Sequence, residues 1–125
     1  MTTTDERPAT GTAATDPALR WETACPLERL QPERGVAALF GEEQVALFRT
    51  HDDTLHAIGN IDPRSGAAVL SRGIVGDRGG EPTVASPVYK ESFSLVDGRC
   101  LDAPGVSVPV YPVRLHGGLV QIGLR

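Results

Sequence analysis

Val36-Ala37-Ala38-Leu39-Phe40-Gly41-Glu42-Glu43-Gln44-Val45-Ala46-Leu47-Phe48 leads through Arg49-Thr50-His51-Asp52-Asp53 into Thr54-Leu55-His56-Ala57-Ile58. Three short apolar runs are separated by turn formers, and each run is about five residues long, the common strand length. Leu55 and Ala57, like Val45 and Leu47, recur at period two, as half-buried strands require. A helical reading fails because Gly41 and the Asp52-Asp53 turn interrupt a 3.6-residue period. The stretch predicts a three-stranded meander.

The C-terminal half repeats this style. Thr83-Val84-Ala85, Ser92-Phe93-Ser94-Leu95, Val110-Tyr111-Pro112-Val113-Arg114 and Leu119-Val120-Gln121-Ile122 are further strand candidates. Asp97-Gly98 and Gly117-Gly118 are hairpin signals, because tight hairpin turns need residues that tolerate positive φ. Pro112 has no N–H to give to a ladder and places its run at an edge or margin. Between the halves, residues 59–82 are rich in Gly, Pro, Arg and Asp and read as one long loop, with Leu70 to Val75 forming a short turn of helix or a brief strand within it. An ordered loop of that length is usually functional. The expected fold is all-β, an antiparallel sandwich or barrel with a long Gly/Arg-rich insertion loop.

At 125 residues the chain predicts one domain. Residues 1–20 hold almost nothing large to bury and predict a disordered N-terminal tail, with the folded domain over 21–125. The tail has no apolar core of a secretory signal, and no run approaches about 18 consecutive apolar residues, so no signal peptide or membrane-spanning helix is expected. A net charge of −4 offers no basic face for nucleic acid. The two cysteines, Cys25 and Cys100, are too few and too far apart for a disulfide framework or a cysteine metal site, and a reducing, cytoplasmic setting is expected.

No self-sufficient active site is visible. The three histidines, His51, His56 and His116, accompany no Gly-x-Ser-x-Gly elbow and no cysteine neighbourhood. They also lack zinc-ligand spacing. Asp52-Asp53 and Asp62 could touch a hard cation, but an acidic pair in a turn is ordinarily solvated. Arg72-Gly73-Ile74-Val75-Gly76-Asp77-Arg78-Gly79-Gly80 could cradle an anion on backbone N–H groups. The bland reading of its glycines is that they meet backbone conformations other residues avoid.

Val84-Ala85-Ser86-Pro87-Val88-Tyr89, Phe93-Ser94-Leu95, Asp97-Gly98 and Val108-Pro109-Val110-Tyr111-Pro112-Val113 resemble the second half of a Rieske ferredoxin domain. Leu55-His56-Ala57-Ile58-Gly59-Asn60-Ile61-Asp62 resembles the strand that enters the first Cys-x-His box of that family. A Rieske cluster takes two cysteines on one iron and two histidines on the other. Aligned on the family's boxes, Asn60 and Asp62 stand at the first Cys and His, and Ser86 and Tyr89 at the second pair. None replaces its ligand in kind. The resemblance therefore implies the fold without a 2Fe–2S cluster, and no cofactor in this chain.

Gly59-Asn60-Ile61-Asp62-Pro63, the run from Ser65 to Gly76, Val84-Ala85-Ser86-Pro87 and Cys100-Leu101-Asp102 resemble one branch of the family, the small subunits of assimilatory NADH-dependent nitrite reductases. That resemblance implies a non-catalytic subunit that binds or stabilises a large subunit. The large subunit would carry FAD, a 4Fe–4S cluster and sirohaem, and would reduce nitrite to ammonium in nitrate assimilation. The loops at the ligand positions would meet at one tip of the domain. Arg64, Arg72, Arg78 and Tyr89 are candidate contacts with the large subunit, because Tyr and Arg are enriched among interface hot spots. The competing reading has Tyr89 filling the space left by the cluster and the arginines solvated. Other functional readings are a Rieske-type ferredoxin that carries electrons for an oxygenase system, and an independent small enzyme. Neither nucleic acid nor membrane is an expected partner.

Overall fold

A computed structural model describes residues 7–10 and 19–124, and within them every paired strand runs antiparallel to its neighbours. The meander is present as β3 (Arg34–Phe40), β4 (Glu43–Arg49) and β5 (Leu55–Gly59) in the order β3-β4-β5. A second three-stranded sheet holds β6 (Ile74–Arg78), β7 (Glu81–Ala85) and β8 (Ser92–Ser94). A four-stranded sheet joins the chain's two ends in the order β1-β9-β10-β2, from β1 (Arg7–Thr10), β2 (Arg20–Pro26), β9 (Val113–His116) and β10 (Leu119–Leu124). Of the tail expected over 1–20, residues 1–6 and 11–18 lie outside the described residues. Arg7–Thr10 pairs with β9, and Arg20 already belongs to β2.

The central sheet differs from the half-buried meander expected. Val45, Leu47, Leu55 and Ala57 face one core, shared with Val113, Leu115, Val120, Ile122 and Leu124 of the four-stranded sheet. Ala46, Phe48 and Ile58 face a second core, shared with Leu70, Val84, Phe93 and Leu95. β4 is thus covered on both faces, which explains why Val45 to Phe48 is apolar without alternation.

Two further expectations are corrected by the chain's own chemistry. The long Gly/Arg-rich insertion loop is only partly loop, because β6 and β7 form a hairpin inside it with Arg78 opposite Glu81. Gly79 and Gly80 turn it with φ of +62° and +93°, the geometry a two-residue hairpin with natural twist demands. Leu70–Arg72 forms a single 3₁₀ turn ahead of it. The expected strand from Val110 to Arg114 is also split. Pro109 and Pro112 cannot donate, so Val110 touches β5 only through an isolated bridge to Ile58, and β9 begins at Val113. The Gly117-Gly118 hairpin is where it was expected, joining β9 to β10 with His116 opposite Leu119.

The Thr50 to Thr54 turn accounts for the acidic pair. Asp52 accepts hydrogen bonds from the Thr50 hydroxyl (2.5 Å) and the Thr54 N–H (3.2 Å), and the Thr50 bond foremost holds its carboxyl down to about 2. Asp53 accepts from Arg49 Nε at 2.9 Å. Both carboxylates therefore serve the turn.

His56, half-buried on β5, has its pKa lowered from 6.5 mainly by burial, against the opposing pull of a backbone hydrogen bond with Leu95 and of the Asp52 charge. Burial favours the neutral ring in the folded protein, so the unfolded chain binds the extra proton first as pH falls below its own pKa. Stability is then full above about pH 6.5 and declines as pH drops below it. The urea midpoint should fall between pH 7 and pH 5, and His56→Gln should flatten that decline. An identical decline in the variant would assign the effect elsewhere.

Candidate functional site

Two loops leave the sheets side by side. The first follows β5, from Asn60 to Val69, and the second follows β7, from Ser86 to Glu91. Alternation carries over from β5, so Asn60 and Asp62 point inward and are buried while Ile61 between them is exposed. The first loop closes on itself through the Asp62 N–H to the Ala67 carbonyl (2.8 Å) and the Gly66 N–H to the Asp62 carbonyl (2.7 Å). Asn60 Oδ1 accepts from the Ser71 N–H at 2.8 Å, which ties the loop to the 3₁₀ turn. The second loop is closed by the Ser86 N–H to the Glu91 carbonyl and the Lys90 N–H to the Ser86 carbonyl, each 2.9 Å.

A buried hydrogen bond joins the loops. Ser86 Oγ donates to Asp62 Oδ2 at 2.5 Å, with Asp62 0% and Ser86 1% exposed. Asp62 Oδ1 accepts the Arg64 N–H at 2.8 Å, and Ser86 Oγ accepts the Val88 N–H at 3.2 Å. Both carboxylate oxygens are therefore engaged, as a buried charge requires. An outer tie runs from Arg64 Nε to Glu91 Oε1 at 3.5 Å. Glu91 was missed in the sequence reading, because nothing local distinguishes it from a solvated glutamate.

The four aligned positions thus separate. Asp62 and Ser86 are buried and bonded to each other, Asn60 is buried on a separate bond to Ser71, and Tyr89 is 56% exposed and does not fill the space beside them. The loops also expose Ile61 (42%) and Val88 (46%), flanked by the exposed Pro63, Arg64 and Pro87. Ile61 was legible from the inward positions on either side of it, a signal the sequence reading did not use.

The remaining arginines lie elsewhere. Arg72 ends the 3₁₀ turn, beside a groove between β3 and β6. Arg78, at the far end of β6, makes a two-pronged bond to Asp102 at 2.9 and 3.3 Å. In the glycine-rich run the Gly80 N–H is taken by Asp77 Oδ2 at 3.1 Å, so that amide is not offered to an anion. Among the described residues no group of three or more His, Cys, Asp or Glu is placed to hold a metal ion. No described helix is long and apolar enough to cross a membrane.

The three sheets and the paired loops define a Rieske-like domain, and the family described as "Rieske-like [2Fe-2S] domain" matches residues 20–123. The chain is 45% identical over 104 residues to the nitrite reductase (NADH) small subunit of Escherichia coli K12, covering 82% of this chain and 96% of that protein. It superimposes with a TM-score of 0.83 on a crystal structure described as an NADH-dependent nitrite reductase small subunit from Mycobacterium tuberculosis, at 55% identity over 86% of this chain and 96% of that one. The chain belongs to the nitrite reductase (NADH) small-subunit family. It also matches the nitrite reductase [NAD(P)H] large subunit of Klebsiella oxytoca, 43% identical over 107 residues, which are 86% of this chain but 11% of that protein.

The cluster named in the family's description does not fit the residues present. That cluster takes two cysteines and two histidines, and neither loop, residues 60–69 or 86–91, contains a Cys or a His. Asp62 and Ser86 are hydrogen-bonded to each other, which leaves no room between them for an iron. Neither free cysteine helps, because Cys25 lies on β2 and Cys100 is buried in the second core.

Proposed function

We propose that this chain is the accessory small subunit of an NADH-dependent nitrite reductase, docking on the large subunit through the loop tip and carrying no electrons itself. One observation carries the reading. In the Klebsiella protein a segment similar to this chain is part of the polypeptide named as the large subunit. A module fused in one protein works at the high effective concentration a tether supplies. As a separate chain it needs an interface of its own.

The tip supplies such an interface. Exposed Ile61, Val88 and Tyr89 sit beside Arg64 on loops tied together beneath, an apolar centre with a charged neighbour. The Asp62–Ser86 bond would do for these loops what iron does in a true Rieske domain, holding the surface in shape before the partner arrives. In this reading the flavin, 4Fe–4S cluster and sirohaem of the large subunit supply the six-electron reduction of nitrite to ammonium in nitrate assimilation. An oxygenase-type electron carrier would need the cluster whose donors are missing here.

Tyr89→Ala is the cleanest test, because the ring is exposed and holds no other element in place. The full chain, purified with and without the change, is titrated against its large subunit. The expected result is a complex weakened about tenfold or more with an unchanged urea midpoint. An unaltered Kd, or a wild-type chain that binds no large subunit carrying flavin and sirohaem bands, would contradict the proposal. Arg64→Ala serves less well, since it also strips the cation from Glu91.

A further inference from the structure

A hollow of about 490 Å³ opens between β3 and β6. Arg34 and Gly35 of β3, Ser71 and Arg72 of the 3₁₀ turn, and Ile74 of β6 line it. Its floor is closed, because a Cβ on Gly35 would stand 2.4 Å from the Ser71 carbonyl oxygen.

Three observations single it out. β6 pairs only with β7, and its other edge makes no backbone hydrogen bond among the described residues. Open edges are normally guarded by charge. Here Asp77 and Arg78 guard the far half, whereas Ile74, Val75 and Gly76 carry no charge and Ile74 is 75% exposed. The third observation is electrostatic. Arg34 and Arg72 make no ion pair or side-chain hydrogen bond among the described residues, in a chain whose net charge is −4. The two guanidinium groups outnumber the one carboxylate on the rim, Glu33.

We propose that this groove receives an extended acidic segment of the large subunit, which adds as a further strand along β6. Main-chain hydrogen bonds to the open edge supply affinity, Ile74 takes an apolar side chain, and Arg34 and Arg72 select carboxylates. The inference rests on the small-subunit reading above and adds a second contact beyond the tip, with the chemistry of the segment that fills it.

Amide hydrogen exchange on the full chain, alone and with its large subunit, tests the strand addition. Exchange at the Val75 and Asp77 amides, which the β6–β7 register turns away from β7, should slow at least about tenfold in the complex. The double variant Arg34→Glu with Arg72→Glu should weaken the complex at least about tenfold, with the urea midpoint retained. A complex that protects residues 60–66 and 86–90 but leaves the β6 amides unchanged would overturn the groove and leave the tip standing. Failure of the wild-type chain to form any complex would overturn both.

Discussion

Asp62→Ala should lower the unfolding free energy by about 2–4 kcal/mol, because it leaves buried donors without an acceptor. The Ser86 hydroxyl and the Arg64 N–H both end on this carboxylate, and the site is fully buried. Asp62→Asn keeps an acceptor for the Arg64 N–H and an amide that can bond Ser86 Oγ, so its cost should stay below about 1 kcal/mol. Ser86→Ala strands one carboxylate oxygen, and the double variant should show a coupling energy of about 1–2 kcal/mol. Urea denaturation of the wild-type chain and the four variants measures these values. Independent, additive effects would mean that the bond does not hold the two loops together.

Gly98→Ala should cost about 3 kcal/mol or more, from two sources that add. Gly98 has φ of +82°, where a side chain meets its own backbone, at about 1–2 kcal/mol. A Cβ there would also stand 2.1 Å from the Val108 carbonyl oxygen. That oxygen cannot retreat cheaply, because the Val108 N–H is bonded to the Gly98 carbonyl at 2.9 Å. Gly79→Ala is the control, with φ of +62° but nothing within 4 Å of a Cβ, and should show the conformational cost alone. Equal losses in the two variants would remove the close approach as a cause.

The two variants probe different kinds of information. Gly98 was legible as a turn residue, since Asp-Gly after an apolar run signals positive φ. Its contact with Val108 was not, because ten residues of irregular chain must first fold back. The same division runs through the arginines named from the sequence. Their residue type marked them as contact-forming, but only packing decided that Arg64 faces Glu91, that Arg78 is held by Asp102, and that Arg72 stands at a groove with no ion pair among the described residues.

The sequence by itself determined the elements whose signals are local. Gly41 and the Asp52-Asp53 turn punctuate the meander, Gly117-Gly118 turns the last hairpin, and residues 60–69 and 86–91 hold no Cys or His for a 2Fe–2S cluster. Each follows from one residue's conformational or chemical capacity, which does not depend on its distant neighbours. Only the tertiary structure decided what joins the two loops. The Asp62–Ser86 bond joins residues 24 positions apart, and a buried carboxylate takes whatever donor the packed sheets bring within reach. It likewise decided that β4 is covered on both faces and that the glycine-rich stretch is a hairpin with an open edge. Burial and edge exposure belong to the stacking of sheets, and no single strand's sequence states which neighbours it will have.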